Sequence, residues 1–131
     1  NKSGMKRIIL LGISLLTYCS VFAQGVKFDT ISLDQALARA QAEGKLVFVD
    51  VTASWCEPCR LMFEEVLSKK EVGEFCNKQF VCIQIDIDKL EGKDFKKKYG
   101  VKSLPTFFIK ASFAGIKKTG RFSGLGQPGC E

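Results

Sequence analysis

The sequence predicts an α/β domain: a mixed central sheet of four to five strands flanked by helices. Three observations point to this class. Apolar segments of strand length alternate with segments of helical periodicity. The segment Leu46 to Val51 is apolar almost without interruption, as befits a central strand covered on both faces. The last two strand-like segments follow each other closely, so a hairpin closes an order whose earlier strands are linked through helices.

The elements follow in order. Val26 to Ser32 reads as a first strand. Leu33, Ala36, Leu37 and Ala40 recur at helical spacing up to Glu43, and Gly44 is placed to end that helix. After the central strand, Ala53-Ser54-Trp55 turns into Cys56, and Leu61, Met62, Glu65 and Val66 continue as a helix. Ser68-Lys69-Lys70-Glu71 has the spacing of a capping box, which predicts a further short helix carrying Val72, Phe75 and Cys76. Phe80 to Ile87 alternates, with Val81, Ile83, Ile85 and Ile87 on one side. Asp94 to Tyr99 forms a short helix with Phe95 and Tyr99 on one face, closed by Gly100. Thr106 to Ile109 is a strand, and Ile116 to Phe122 pairs with it. The expected order is β-α-β-α-β-α-β-β.

At 131 residues the chain fits one domain with room for a core. The first residues read differently. Met5-Lys6-Arg7 is a basic head, Ile8 to Tyr18 is an apolar run too short to span a bilayer, and Ser20-Val21-Phe22-Ala23 ends in small residues. This is the layout of an export signal, with a buried N-terminal helix as the alternative. The expected division is residues 1–23 as signal with an upstream extension, 24–124 as the domain, and 125–131 as an irregular tail. Cleavage after Ala23 predicts export across the inner membrane to a periplasmic location; a lipid on Cys19 is the less favoured route, because Tyr18 stands where a small residue is expected. The formal charge of +6 then falls, since Lys2, Lys6 and Arg7 leave 17 basic against 14 acidic residues, a net +3. Lys96-Lys97-Lys98 reads as a solvated helix face. No aromatic platform accompanies it, so nucleic acid is not an expected partner.

Cysteine carries the functional signal. Cleavage leaves Cys56, Cys59, Cys76, Cys82 and Cys130, an odd set without the look of a stapled scaffold. Cys56 and Cys59 form a Cys-x-x-Cys pair at a helix start. A thiolate is the attacking species, and unpaired N–H groups at a helix N-terminus stabilise it at Cys56. Pro58 is tolerated in the first turn, where its missing N–H has no helical partner. Cys59, three residues on, can attack the resulting mixed disulfide and release the product. Cys76 and Cys82 could form a second disulfide or serve as small buried hydrophobes.

Asp50, Trp55-Cys56-Glu57-Pro58-Cys59 and Leu104-Pro105-Thr106 resemble the thioredoxin superfamily over about residues 26 to 124. Within it, the chain is similar to secreted bacterial thioredoxin-like proteins, themselves like the catalytic thioredoxin-like domain of the periplasmic thiol–disulfide interchange electron transporter. The resemblance implies thiol–disulfide oxidoreductase activity on protein disulfides, a protein redox partner, and no cofactor or metal. It implies that Asp50 is the buried acid exchanging a proton with Cys59. It also implies that Pro105 is a cis-proline opposite the dithiol, with Leu104 offering its backbone to substrate. Trp55 and Thr106 complete the substrate-binding set, with core packing as the alternative for Trp55.

Two departures stand out. Gln84 occupies a position where many relatives carry a lysine near the buried acid. The tail Leu125 to Glu131, with two glycines and a proline, cannot form the final helix expected of the fold, so that helix is expected to be missing. Two rival functions compete with this one. Structural zinc needs four ligands, and the chain has no histidine and no second cysteine knuckle. A binding or chaperone module would keep the fold without redox turnover. Within the enzyme reading, only 46 positions separate Cys59 from Pro105, too few for the helical insertion of the dedicated oxidants. Glu57 disfavours the adjacent thiolate, with Arg60 partly offsetting it. Together these favour a reductase, with an isomerase second.

Overall fold

Leu46–Thr52 (β2) becomes the middle of the sheet because it has apolar side chains for both faces and a ladder partner on each edge. The computed structural model describes residues 24–113 and 116–123, together with Lys2 and Gly4. Around β2 lie Phe28–Asp29 (β1), Phe80–Asp86 (β3), Thr106–Phe113 (β4) and Ile116–Ser123 (β5), in the spatial order β1-β3-β2-β4-β5. β3 is parallel to both β1 and β2, while β4 runs antiparallel to β2 and to β5. The parallel strands are joined through helices, and β5 pairs antiparallel with the strand that precedes it, as the sequence predicts. The sheet has the five strands at the upper end of the expected range.

Helices cover both faces. Leu33–Glu43 (α1) and Leu90–Tyr99 (α4) contribute Ala36, Ala40 and Phe95 to a core that includes Val47, Val49, Val51, Val81, Ile83, Ile85 and Phe108. Phe95 meets Phe108 edge-on at 5.3 Å, and Tyr99 lies 5.7 Å from the same ring. On the other face, Leu67 and Cys76 pack with Val26 and Cys82, and Phe48 stacks on Phe107 at 5.6 Å. The helices of that face are Glu57–Met62 (α2), which widens into a π-helical turn over Phe63–Leu67, and Lys70–Gln79 (α3).

Local chemistry explains where the elements begin and end. Ser32 caps α1 by accepting from the Gln35 N–H at 3.2 Å, and the Gln35 side chain accepts from the Ser32 N–H at 3.0 Å. Gly44 and Gly100 close α1 and α4 with φ of 66° and 62°, left-handed values that cost a glycine little.

Four boundaries differ from the sequence reading. The first strand shrinks to two residues, because the Val26 N–H bonds to the Leu67 carbonyl at 2.7 Å and Ser32 is spent as a cap. Ser68 is not the cap of α3: its Oγ donates to the Glu64 carbonyl at 2.5 Å, and Lys69 precedes the helix without a side-chain bond. The helix after Cys59 does not stay α-helical, since the Ser68 N–H reaches back five residues to the Phe63 carbonyl at 2.9 Å. α4 starts four residues earlier than Asp94.

The expected export signal and Cys19 lipid site, and the tail with Cys130, fall on residues 5–23 and 125–131, outside the described residues. Among the described residues no helix is long and apolar enough to cross a membrane.

Candidate active site

The site forms where β2 ends and the chain turns into α2. Ala53 and Cys56 join through a 3.1 Å bond from the Cys56 N–H to the Ala53 carbonyl. Cys56 then takes the N-cap position of α2 in an extended conformation. Its Sγ accepts from the Cys59 N–H at 3.3 Å, so a sulfur does here what a serine or aspartate oxygen does at ordinary helix starts. Pro58 lies in the first turn, where the sequence allows it.

Cys56 and Cys59 are joined as a disulfide with Cα atoms 5.3 Å apart. Both are largely buried, at 6% and 7% exposure, yet both line a cleft of about 700 Å³. Cys56 also lines a second depression of about 440 Å³ on its other side, floored by Pro58, Ile87, Val101 and Leu104.

Asp50 sits in β2 with 4% exposure. Burial pushes its carboxyl above the ordinary range, and a hydrogen bond from Gln84 opposes that rise. Gln84 Nε2 donates to Asp50 Oδ2 at 2.9 Å from the adjacent strand. The residue that departs from the expected lysine thus contacts the acid through a neutral amide, and Gln84 also lines the larger cleft with both cysteines.

The remaining predicted residues divide. Trp55 is 67% exposed and not a core side chain; its indole N–H donates to Asp88 Oδ2 at 2.9 Å. Trp55 and Leu104 share the smaller depression with Cys56. The Leu104–Pro105 peptide bond is cis, as the resemblance implies. Pro105 and Thr106 are buried, and the Thr106 hydroxyl donates to the Ser103 carbonyl at 2.6 Å. Thr106 therefore fastens the turn below Leu104 and does not present its side chain outward.

Glu57 and Arg60 pair beside the cysteines, and Arg60 also meets Glu64 at 2.7 Å. The Arg60 bond holds the Glu57 carboxyl below its ordinary range. Cys76 and Cys82 are free and buried; burial raises both thiols, Cys82 to about 12, so neither resembles a reactive thiolate. Among the described residues no three Cys, Asp or Glu side chains converge as a metal site. Sequence reasoning missed Asp88, whose pairing with Trp55 crosses 33 positions and leaves no local signal.

The family model for thioredoxin-like proteins matches residues 29–110, the stretch holding the dithiol, Asp50 and Pro105. The chain belongs to the thioredoxin-like family. It is similar to an H-type thioredoxin of Oryza sativa subsp. indica, with 38% identity over 91 residues covering 66% of this chain and 67% of that one. Across the first four curated relatives it spans 53 to 67% of their length. A thioredoxin structure from Thermus thermophilus superposes with a TM-score of 0.68 at 31% identity, covering 76% of each chain. A candidate disulphide isomerase from Bacteroides thetaiotaomicron superposes at 0.65 with 33% identity, covering 80% of this chain and 85% of that one. The described domain is a thioredoxin-like oxidoreductase with its Cys56–Cys59 pair at disulfide distance.

Proposed function

We propose that this protein is an exported thiol–disulfide oxidoreductase that reduces protein disulfides through Cys56 and Cys59. The observation that carries the reading is Cys56 as the N-cap of α2, its sulfur accepting the Cys59 N–H at 3.3 Å. A donor aimed at that sulfur favours its thiolate over its thiol, together with the positive end of the helix.

The cycle starts from the reduced dithiol. The Cys56 thiolate attacks one sulfur of a substrate disulfide, forming a mixed disulfide and releasing the other substrate sulfur as a thiolate. Cys59 gives its proton to the Asp50 carboxylate and attacks Cys56 Sγ. The second substrate thiolate leaves, and the chain is left with the Cys56–Cys59 disulfide. A dithiol protein partner returns it to the reduced form by the same exchange. A carboxyl whose proton affinity is raised by burial suits the acceptor role near neutral pH. Trp55 and Leu104 flank the attacking sulfur as substrate contacts, with Pro105 and Thr106 supporting the turn.

Reduction is favoured over oxidation because Glu57 lies next to Cys56 and its charge, partly offset by its pairing with Arg60, disfavours the neighbouring thiolate, which makes the disulfide less oxidising. Isomerisation is the second reading, favoured by the likeness to the candidate disulphide isomerase. Export rests on the basic head, the apolar run from Ile8 to Tyr18 and the small residues ending at Ala23.

An insulin-reduction assay tests the chemistry. Wild type should turn over and Cys56→Ser should not; equal activity in both would defeat the reading. Equilibration with glutathione gives the direction, where about 30 mV corresponds to about 1.4 kcal/mol. A potential matching the strongly oxidising members of the fold would overturn the reductase assignment.

A further inference from the structure

The smaller depression does not stop at the dithiol. It shares Trp55, Ile87, Lys96, Val101 and Lys102 with a neighbouring one of about 560 Å³, so the two form one groove leading away from Cys56. The floor of the groove is apolar. Its rim is basic: Lys93, Lys96 and Lys97 stand on α4 and Lys102 follows Gly100.

The lysines come together for a structural reason. Positions 93, 96 and 97 are spaced i, i+3 and i+4, which puts all three on one helix face. Lys102 is then carried to the same groove by the chain reversal at Gly100. All four are exposed, and among the described residues none forms an ion pair, whereas Arg39, Lys45, Arg60 and Lys70 do. Two acids also stand at the groove: Glu57, whose charge is paired with Arg60, and Asp88, which accepts from the neutral Trp55 indole and keeps its charge, so four lysines face one unpaired carboxylate. Favourable placement near the negative end of a helix accounts for Lys96 and Lys97. It accounts for neither Lys93, in the middle of α4, nor Lys102, beyond its end. Like charges this close repel one another, and an anionic occupant would relieve that repulsion.

We propose that this groove selects its substrate by charge: the disulfide taken by Cys56 lies in an acidic segment of the substrate protein, with apolar side chains on the floor and carboxylates at Lys93, Lys96, Lys97 and Lys102. The inference rests on the oxidoreductase reading above. Because an attacking sulfur stands at one end of the groove, its occupant is a protein segment carrying a disulfide.

Peptide disulfides of one core sequence, flanked by glutamates, serines or lysines, test it. At low ionic strength kcat/KM should fall in that order, with about tenfold between acidic and basic flanks. The spread should collapse near 1 M salt, where charges are screened beyond about 3 Å. Combined Lys93→Glu, Lys96→Glu and Lys102→Glu substitutions should reverse the order. Lys78→Glu, the same charge change on α3 against the opposite sheet face, should keep the wild-type order. Equal kcat/KM for all flanks, or a shift with Lys78→Glu as large as with the rim variants, would overturn the proposal. Binding gives a readout that needs no redox step. Trp55 is the single tryptophan and lines the groove, so its fluorescence reports docking of peptides with serines in place of both cysteines. Failure to reduce any peptide, with acidic peptides still binding best, would count against the oxidoreductase reading alone. Flank-independent binding would count against the groove.

Discussion

Gln84 and Asp50 are ladder partners on β3 and β2, and the Gln84 amide donates to the Asp50 carboxyl at 2.9 Å. The pair joins a buried acid to a side chain that reaches the cleft beside the dithiol. An amide can donate to an ionised carboxyl or, turned over, accept from a protonated one. Asp50 therefore keeps a hydrogen-bond partner in both states that a proton-exchanging acid must visit.

Stability should depend on pH through Asp50. Its folded carboxyl lies above the unfolded value of 3.8, so folding takes up a proton between the two. Stability from this group is highest below 3.8, declines as pH rises through the window, and stays lowered above the folded value. Asp50→Asn should consequently raise the melting temperature at neutral pH, and the gain should vanish toward pH 3.8. An equal gain at every pH would show that ionisation of Asp50 is not the cause.

Gln84→Leu should move the Asp50 titration further up, since it removes the one influence that lowers it and leaves burial in place. The side-chain carboxyl carbon of Asp50, followed by NMR, reads this directly. A titration that stays put or moves down would mean that the amide does not act on the acid.

Cys59→Ser should leave the attacking sulfur and remove the resolving one. Mass spectrometry of this variant mixed with an oxidised peptide should show the peptide linked to Cys56. Linkage at Cys76 or Cys82 would contradict their burial and raised thiols.

Two serines with similar sequence surroundings should behave differently. Ser32→Ala removes a reciprocal cap and should cost about 1 kcal/mol in urea unfolding. Ser68→Ala removes only a bond to the Glu64 carbonyl at an exposed position and should stay within about 0.5 kcal/mol. Equal losses would mean that the capping geometry is not what distinguishes them.

Gly92→Ala should destabilise the fold although alanine is the better helix former by about 1 kcal/mol. A Cβ at position 92 would stand 1.9 Å from the Asp86 carbonyl oxygen, backbone that cannot rotate away. Forcing the helix off the end of β3 should cost about 1–3 kcal/mol, visible as a lower urea midpoint.

By itself, the sequence determined the fold class, a mixed sheet of four to five strands, and the Cys56–Cys59 pair, because each is written in local periodicity or spacing. The apolar run around Val47, Val49 and Val51 specifies a central strand without reference to anything distant, and Gly44 and Gly100 mark helix ends by their own backbone freedom. Tertiary structure decided what competes for a shared partner. Ser68 had the sequence of a cap, but the Glu64 carbonyl took its hydroxyl; Val26 had the pattern of a strand, but the Leu67 carbonyl took its N–H. The pairings Gln84–Asp50 and Trp55–Asp88 bridge 34 and 33 positions, and the lysine rim draws on a helix and the loop beyond it. A hydrogen bond acts over about 3 Å of space regardless of chain distance, so only the packed sheet could determine which of these groups meet.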